Sequence, residues 1–140
     1  MSGILLAEDN PADVYLIREA LKQHEVRCDL RIASDGREVL SLISSENQAH
    51  PDLIILDLNL PRHDGIEILQ RLRSNHSLSG VPVVILTSSD SPRDRVTATQ
   101  LGATRYLSKP SNLEQFLQLG AIFKEMLQTC VGPVPEEPAK

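Results

Sequence analysis

Five polar side chains interrupt an otherwise apolar pattern. The acidic pair Glu8 and Asp9 follows Ile4–Ala7, Asp57 follows Leu53–Leu56, Thr87 follows Val83–Leu86, and Lys109 comes just after Tyr106–Leu107. Two or three carboxylates near backbone carbonyls suit a hard divalent cation such as Mg2+, which takes few protein ligands and keeps several waters. Without the ion, the acids would repel one another. A carboxylate beside such an ion and a lysine can attack a phosphoryl group and form an acyl phosphate. Singly, each residue has a plainer reading: Asp57 as a turn former, Thr87 as a cap, Lys109 as an exposed charge. What argues for chemistry is their joint occurrence at the ends of successive apolar segments.

Those segments must bring the five together. A run that is apolar at successive positions is a strand buried on both faces. Ile4–Ala7, Leu30–Ala33, Leu53–Leu56, Val83–Leu86 and Tyr106–Leu107 read as strands on this basis. Between them run helical periods: Val14, Ile17 and Leu21; Val39, Leu42 and Ile43; Ile66, Leu69 and Leu72. Asp13 and Asp64 stand where helix N-termini favour anions, and Pro92, Gly102 and Pro110 punctuate the second half. Five strands alternating with five helices predict an α/β fold, a flavodoxin-like doubly wound parallel sheet of order 2-1-3-4-5. In such a sheet the C-terminal strand ends meet at one edge, where ligands bind. Residues 1–131 make the expected domain. The Pro- and Glu-rich stretch 132–140, GPVPEEPAK, reads as a flexible tail.

Composition narrows the partners. The chain has 140 residues, 41% hydrophobic and 24% charged, enough for one domain with its own core. Its net charge of −5 argues against a nucleic-acid surface, because phosphate backbones reward clustered Lys and Arg. Cys28 and Cys130 share no metal-ligand or redox spacing, which fits a reducing cytoplasm. No basic segment precedes the first apolar stretch and no apolar run reaches membrane-spanning length, so neither export nor membrane insertion is expected. His24, His50, His63 and His76 are scattered as surface histidines are, not as a metal cluster.

The EDN at 8–10, LDLNLPRHDGIEIL at 56–69, LTSS at 86–89 and YLSKP at 106–110 together resemble the receiver domain of two-component response regulators. The resemblance implies that Asp57 accepts a phosphoryl group from a phosphohistidine on a sensor histidine kinase. It further implies that Asp9, Asp57 and the backbone carbonyl of Asn59 hold Mg2+ with help from Glu8. Thr87 and Lys109 would bind the phosphoryl oxygens, and Tyr106 would be the switch aromatic. Many members of the family carry Asp at position 8, and the longer Glu8 points to contact through water. Ser88 is small enough to leave the site open, and the Lys109–Pro110 bond corresponds to the family's cis peptide. EDNPADVYLIREALKQ with LNLPRHDGIEIL is most similar to the small stand-alone receivers that serve phytochrome-type kinases. Such proteins signal by docking to a downstream protein and are not enzymes.

Two other classes compete. A haloacid-dehalogenase-like phosphatase also forms an aspartyl phosphate, but it wants a second acid where this chain has Asn59. A flavodoxin-like binding module wants a hydroxyl- and Gly-rich first loop in place of AEDNPAD. The fifth helix carries a last expectation. Leu113, Phe116, Leu117, Gly120, Phe123 and Leu127 should cover the sheet, leaving a second set, Leu119, Ile122 and Met126, facing outward. Receivers commonly dimerise through the fourth helix, fifth strand and fifth helix, so this second set predicts a homodimer; the plainer alternative is that the first helix, on the same side of the sheet, covers part of it.

Overall fold

Two strands form the centre of the structure: β3 (Leu53–Leu56) and β4 (Val83–Thr87), each buried at every position. In this computed structural model, which describes residues 2–44, 50–61, 64–89 and 91–130, β1 (Ser2–Ala7), β2 (Cys28–Ala33) and β5 (Arg105–Ser108) complete a parallel sheet of order β2-β1-β3-β4-β5. This is the expected architecture. The edge strands show their position in their sequence: Asp29 and Arg31 of β2 and Arg105 of β5 point to solvent. The expected tail, residues 132–140, and His63 lie outside the described residues.

Helices cover both faces. α1 (Pro11–Gln23) and α5 (Leu113–Cys130) pack on one face, with Ile4, Leu6, Ile55, Val84 and Leu86 beneath them. On the other, α2 (Gly36–Ser44), α3 (Gly65–Ser74) and α4 (Pro92–Gln100) cover Leu5, Ala7, Ile54, Leu56 and Ile85. Alternation along the strands sends neighbouring side chains to opposite layers. The helix starts are specified locally: the side chains of Asn10, Asp64 and Ser91 accept the amides of Ala12, Ile66 and Asp94, and proline takes the first position of α1 and α4. In α3 the inward face is Gly65, Ile68, Leu69 and Leu72, with Ile66 only partly buried. That is a slightly rotated version of the expected stripe.

The expected outward face of α5 is not outward. Leu119 is 7% and Met126 5% exposed, and Ile122 is partly buried against the same cluster. Leu113, expected to cover the sheet, is 60% exposed. The buried stripe is therefore Phe116, Leu119, Gly120, Phe123, Met126 and Leu127. Its cause is α1, which lies beside α5 on the same face and supplies Ile17 and Leu21 to the same cluster. A dimer built on Leu119, Ile122 and Met126 loses its basis, because a neighbouring helix of the same chain covers them. Among the described residues, the large exposed apolar side chains, Tyr15, Val96 and Leu113, stand on three different helices.

Close approach of the two helices depends on Gly120. A Cβ at this position would collide with the carbonyl of Ala20 and the ring of His24. Because α1 also carries Asp13, whose carboxylate bonds the Lys109 ammonium, the contact fixes more than packing. Gly120→Val should destabilise the domain by about 2 kcal/mol, the middle of the overpacking range. Urea denaturation measures it, and an unchanged midpoint would mean that α1 and α5 are not in contact here.

Candidate functional site

The strand register builds the polar edge. Ala7 pairs with both Ala33 and Leu56, and Thr87 pairs with Ser108, so the strands end nearly level. The next residues keep their amides in the ladder while their side chains leave the apolar layers. Glu8 donates to Ala33 O at 2.9 Å, Asp57 to Ala7 O at 3.1 Å and Lys109 to Thr87 O at 2.8 Å. Backbone pairing thus delivers two acids and one amine to one edge.

Their side chains converge on the Lys109 ammonium. Its Nζ lies 2.8 Å from Glu8 Oε1, 2.7 Å from Asp13 Oδ2 and 2.8 Å from Asp57 Oδ2, with the lysine side chain 12% exposed. Burial alone would lower the amine's affinity for its proton. Hydrogen bonds to Asp13, Asp57 and Glu8 outweigh it and hold the pKa above its ordinary value. Burial pushes the Glu8 carboxyl upward against the opposing pulls of Lys109 and the Asn10 amide, and the Asp57 charge adds to the rise. The second carboxylate oxygen of Glu8, Oε2, accepts the Asn10 amide at 3.1 Å.

Asp57 is buried and held at both oxygens. Oδ1 accepts the amide of Asn59 at 2.9 Å, and Oδ2 takes the bond from Lys109. The Asn59 side chain reaches Thr87, donating from Nδ2 to Oγ1 at 3.3 Å, and the Ser89 amide donates to the same Oγ1 at 3.3 Å. Ser88, between them, is exposed. Tyr106 points to the α4 side of the sheet, not toward α5. Its hydroxyl donates to Ser89 O at 3.3 Å, its ring lies under the Arg95 guanidinium at 5.2 Å, and Arg95 also donates to its carbonyl. Contacts therefore run from Asp57 through Asn59, Thr87 and Ser89 to Tyr106.

The acidic members fit a divalent cation. Glu8, Asp9 and Asp57 each offer a carboxylate oxygen, all within 4.8 Å of one another, two of them buried and Asp9 at the exposed rim. Such an all-oxygen set with an open side suits Mg2+ or a similar hard ion. All the expected side chains other than the α5 face meet at or beside this edge. The expected cis bond does not occur: among the described residues every peptide is trans, including Lys109–Pro110. The bond from the Lys109 amide to Thr87 O extends the β5 ladder and aims the amine.

Asp13 joins the site without having been read from the sequence as part of it. It lies in the first turn of α1, four residues beyond Asp9, where an acid is ordinarily explained by the helix dipole. Its signal was present: a proline-started helix leaving a strand end directs its first turn across that same edge.

Comparisons with known proteins agree with this geometry. The response regulator receiver domain matches residues 4–120. Response regulator Rcp1 of Synechocystis sp. is 38% identical over 120 residues, covering 83% of this chain and 82% of that protein. The crystal structure of the Mn(2+)-bound form of Rcp1 superposes with a TM-score of 0.86 at 35% identity, covering 96% of this chain and all of the other. The phosphorylated cyanobacterial phytochrome response regulator RcpA gives a TM-score of 0.85 at 35% identity, covering 96% of this chain and 99% of its own. Several other curated relatives are longer, and the chain spans about half their length. Because the family's domain matches residues 4–120, most of the chain, this chain belongs to the response regulator receiver domains.

Proposed function

We propose that the chain is a phosphoryl-accepting switch, in which Asp57 receives a phosphoryl group from the phosphohistidine of a sensor histidine kinase and the altered surface docks a downstream protein. The observation that carries this reading is Asp57 itself: a buried carboxylate at a strand end, gripped by Lys109 and the Asn59 amide beside two further acids. The likeness to a phytochrome response regulator favours a phytochrome-type kinase. A cytoplasmic setting follows from the same partner.

The step is a displacement. A carboxylate oxygen of Asp57 attacks phosphorus and forms the acyl phosphate bond. The P–N bond to histidine breaks, and the leaving imidazole takes the electron pair and a proton from water. No general base is needed, because a carboxylate nucleophile has no proton to give up; positioning and charge neutralisation carry the catalysis. Mg2+ held by Asp9, Asp57 and the Asn59 carbonyl would supply positive charge to the phosphoryl oxygens when bound. Glu8, one methylene longer than the aspartate common in the family, would meet the ion through a bound water. Lys109 donates to the phosphoryl group. Thr87 Oγ1 already accepts two bonds, so its proton remains to be donated there as well.

Phosphorylation adds about −1.5 to −2 charge at neutral pH. Thr87 turning toward that charge alters its bonds to Asn59 and Ser89, and Ser89 holds the Tyr106 hydroxyl. Tyr106 and its Arg95 partner would thus carry the change to α4. The chain acts as a receiver of phosphate, not as a turnover enzyme: a phosphatase of the aspartyl-phosphate type wants an acid at position 59, where this chain has Asn.

Asp9→Ala should weaken Mg2+ binding by at least about tenfold, the loss that follows even from removing an outer-shell partner. It should also raise the urea midpoint of the metal-free protein, since one of several repelling carboxylates is gone. An unchanged affinity by calorimetric titration would remove Asp9 from the metal site. The direct test of the function is incubation with acetyl phosphate and Mg2+ followed by intact mass measurement. The wild type should gain one phosphate and Asp57→Asn none, because an amide is no nucleophile. Equal labelling of the two proteins would refute Asp57 as acceptor; steady release of phosphate would mark an enzyme instead.

A further inference from the structure

Asp13 lies 96 residues from Lys109 in sequence, yet it makes a contact of 2.7 Å with the ammonium. Its side chain is 18% exposed. An ammonium has three N–H donors, and Glu8, Asp13 and Asp57 take all three. These partners differ in what else is asked of them. Glu8 and Asp57 also belong to the group of carboxylates that can hold a cation, whereas Asp13 does not. Asp57 further turns one oxygen into the acyl phosphate linkage. Asp13 alone has no second task at this edge.

We infer that Asp13 is a positioning residue for phosphoryl transfer, the carboxylate that keeps Lys109 aimed at the phosphoryl group once the cation and the phosphate claim Glu8 and Asp57. This rests on the reading of Asp57 as acceptor. Without Asp13, the lysine at the transfer step would be a long flexible chain with one fixed partner fewer, and its ammonium would have to be reoriented from solvent. Preorganised charge is what lowers such a barrier, and small misplacements of a catalytic group are felt strongly in rate. Placement of Asp13 on the first turn of α1 also makes the aim of Lys109 depend on how α1 sits. The dipole of α1 favours an acid here in any case. That attraction does not require Lys109, and the two origins can be separated by experiment.

The experiment is a cycle of Asp13→Asn, Lys109→Ala and the double variant, labelled by acetyl phosphate at saturating Mg2+ and followed by intact mass. Asp13→Asn should lower the maximal labelling rate by about tenfold, and Asp13→Glu should recover part of the loss. In the Lys109→Ala background, Asp13→Asn should change the rate by less than twofold. In metal-free protein, urea midpoints should show the same pattern, with Asp13→Asn lowering that of the wild type but not that of Lys109→Ala. Should the asparagine variant fail to fold, Asp13→Ser keeps a favoured oxygen in the first turn and carries the same cycle. A wild-type rate in Asp13→Asn overturns the inference, and so does an equal loss in both backgrounds, which would make Asp13 a purely structural residue of α1. A wild type that takes no phosphate at all overturns the acceptor reading instead.

Discussion

One ammonium holds this edge together. Four carboxylates, Glu8, Asp9, Asp13 and Asp57, gather at the strand ends, and Lys109 bonds three of them at under 3 Å. Each would raise the energy of the others if left alone in a partly buried site. Lys109 offsets one charge of the four, and the remaining excess is what makes the edge attractive to a divalent cation. The same excess makes it hostile to a phosphoryl group unless that cation is present. On the proposed function, a need for the metal would follow from this charge balance before any ligand geometry is considered.

What delivers the ammonium is the sheet. Parallel strands ending level bring Glu8, Asp57 and Lys109 out on one side, and the ladder bonds of their own amides fix the directions in which they leave. α1 adds Asp13 from above, and α1 is in turn set against α5 by the missing side chain at Gly120. On the opposite layer, Thr87 bonds both the Asn59 side chain and the Ser89 amide, and Ser89 accepts the Tyr106 hydroxyl. The edge is therefore tied to both layers. A change of charge at Asp57 acts on a network whose far end is a half-buried aromatic under an arginine.

Much of this was readable in the chain. β3 and β4 are unbroken apolar runs, and only a doubly covered sheet buries such runs on both faces; their order and the edge they share followed from that. Glu8, Asp9, Asp57, Thr87 and Lys109 were recognisable only together, because each alone has a plainer structural reading while their joint occurrence at successive strand ends does not. The rotation of α5 was left open by the sequence, with cover by the first helix as the alternative to a dimer face. Its apolar residues occupy more than one stripe, and which stripe is inward depends on α1, a neighbour 90 or more residues earlier whose approach is governed by one glycine. The capture of Asp13 shares this character: it is settled by Lys109, a partner 96 residues away in sequence.

Asp57 has Asp9 beside it in the acid cluster and shares Lys109 with Asp13, so locating the phosphate matters more than detecting it. Borohydride reduction of the phosphorylated protein converts an acyl phosphate of aspartate to homoserine, which peptide mass mapping then places in the chain. Homoserine at position 57, dependent on Mg2+ and absent from the untreated protein, is the result this account predicts. Homoserine at Asp9 or Asp13, or none at any aspartate of a protein that has gained phosphate, would contradict it.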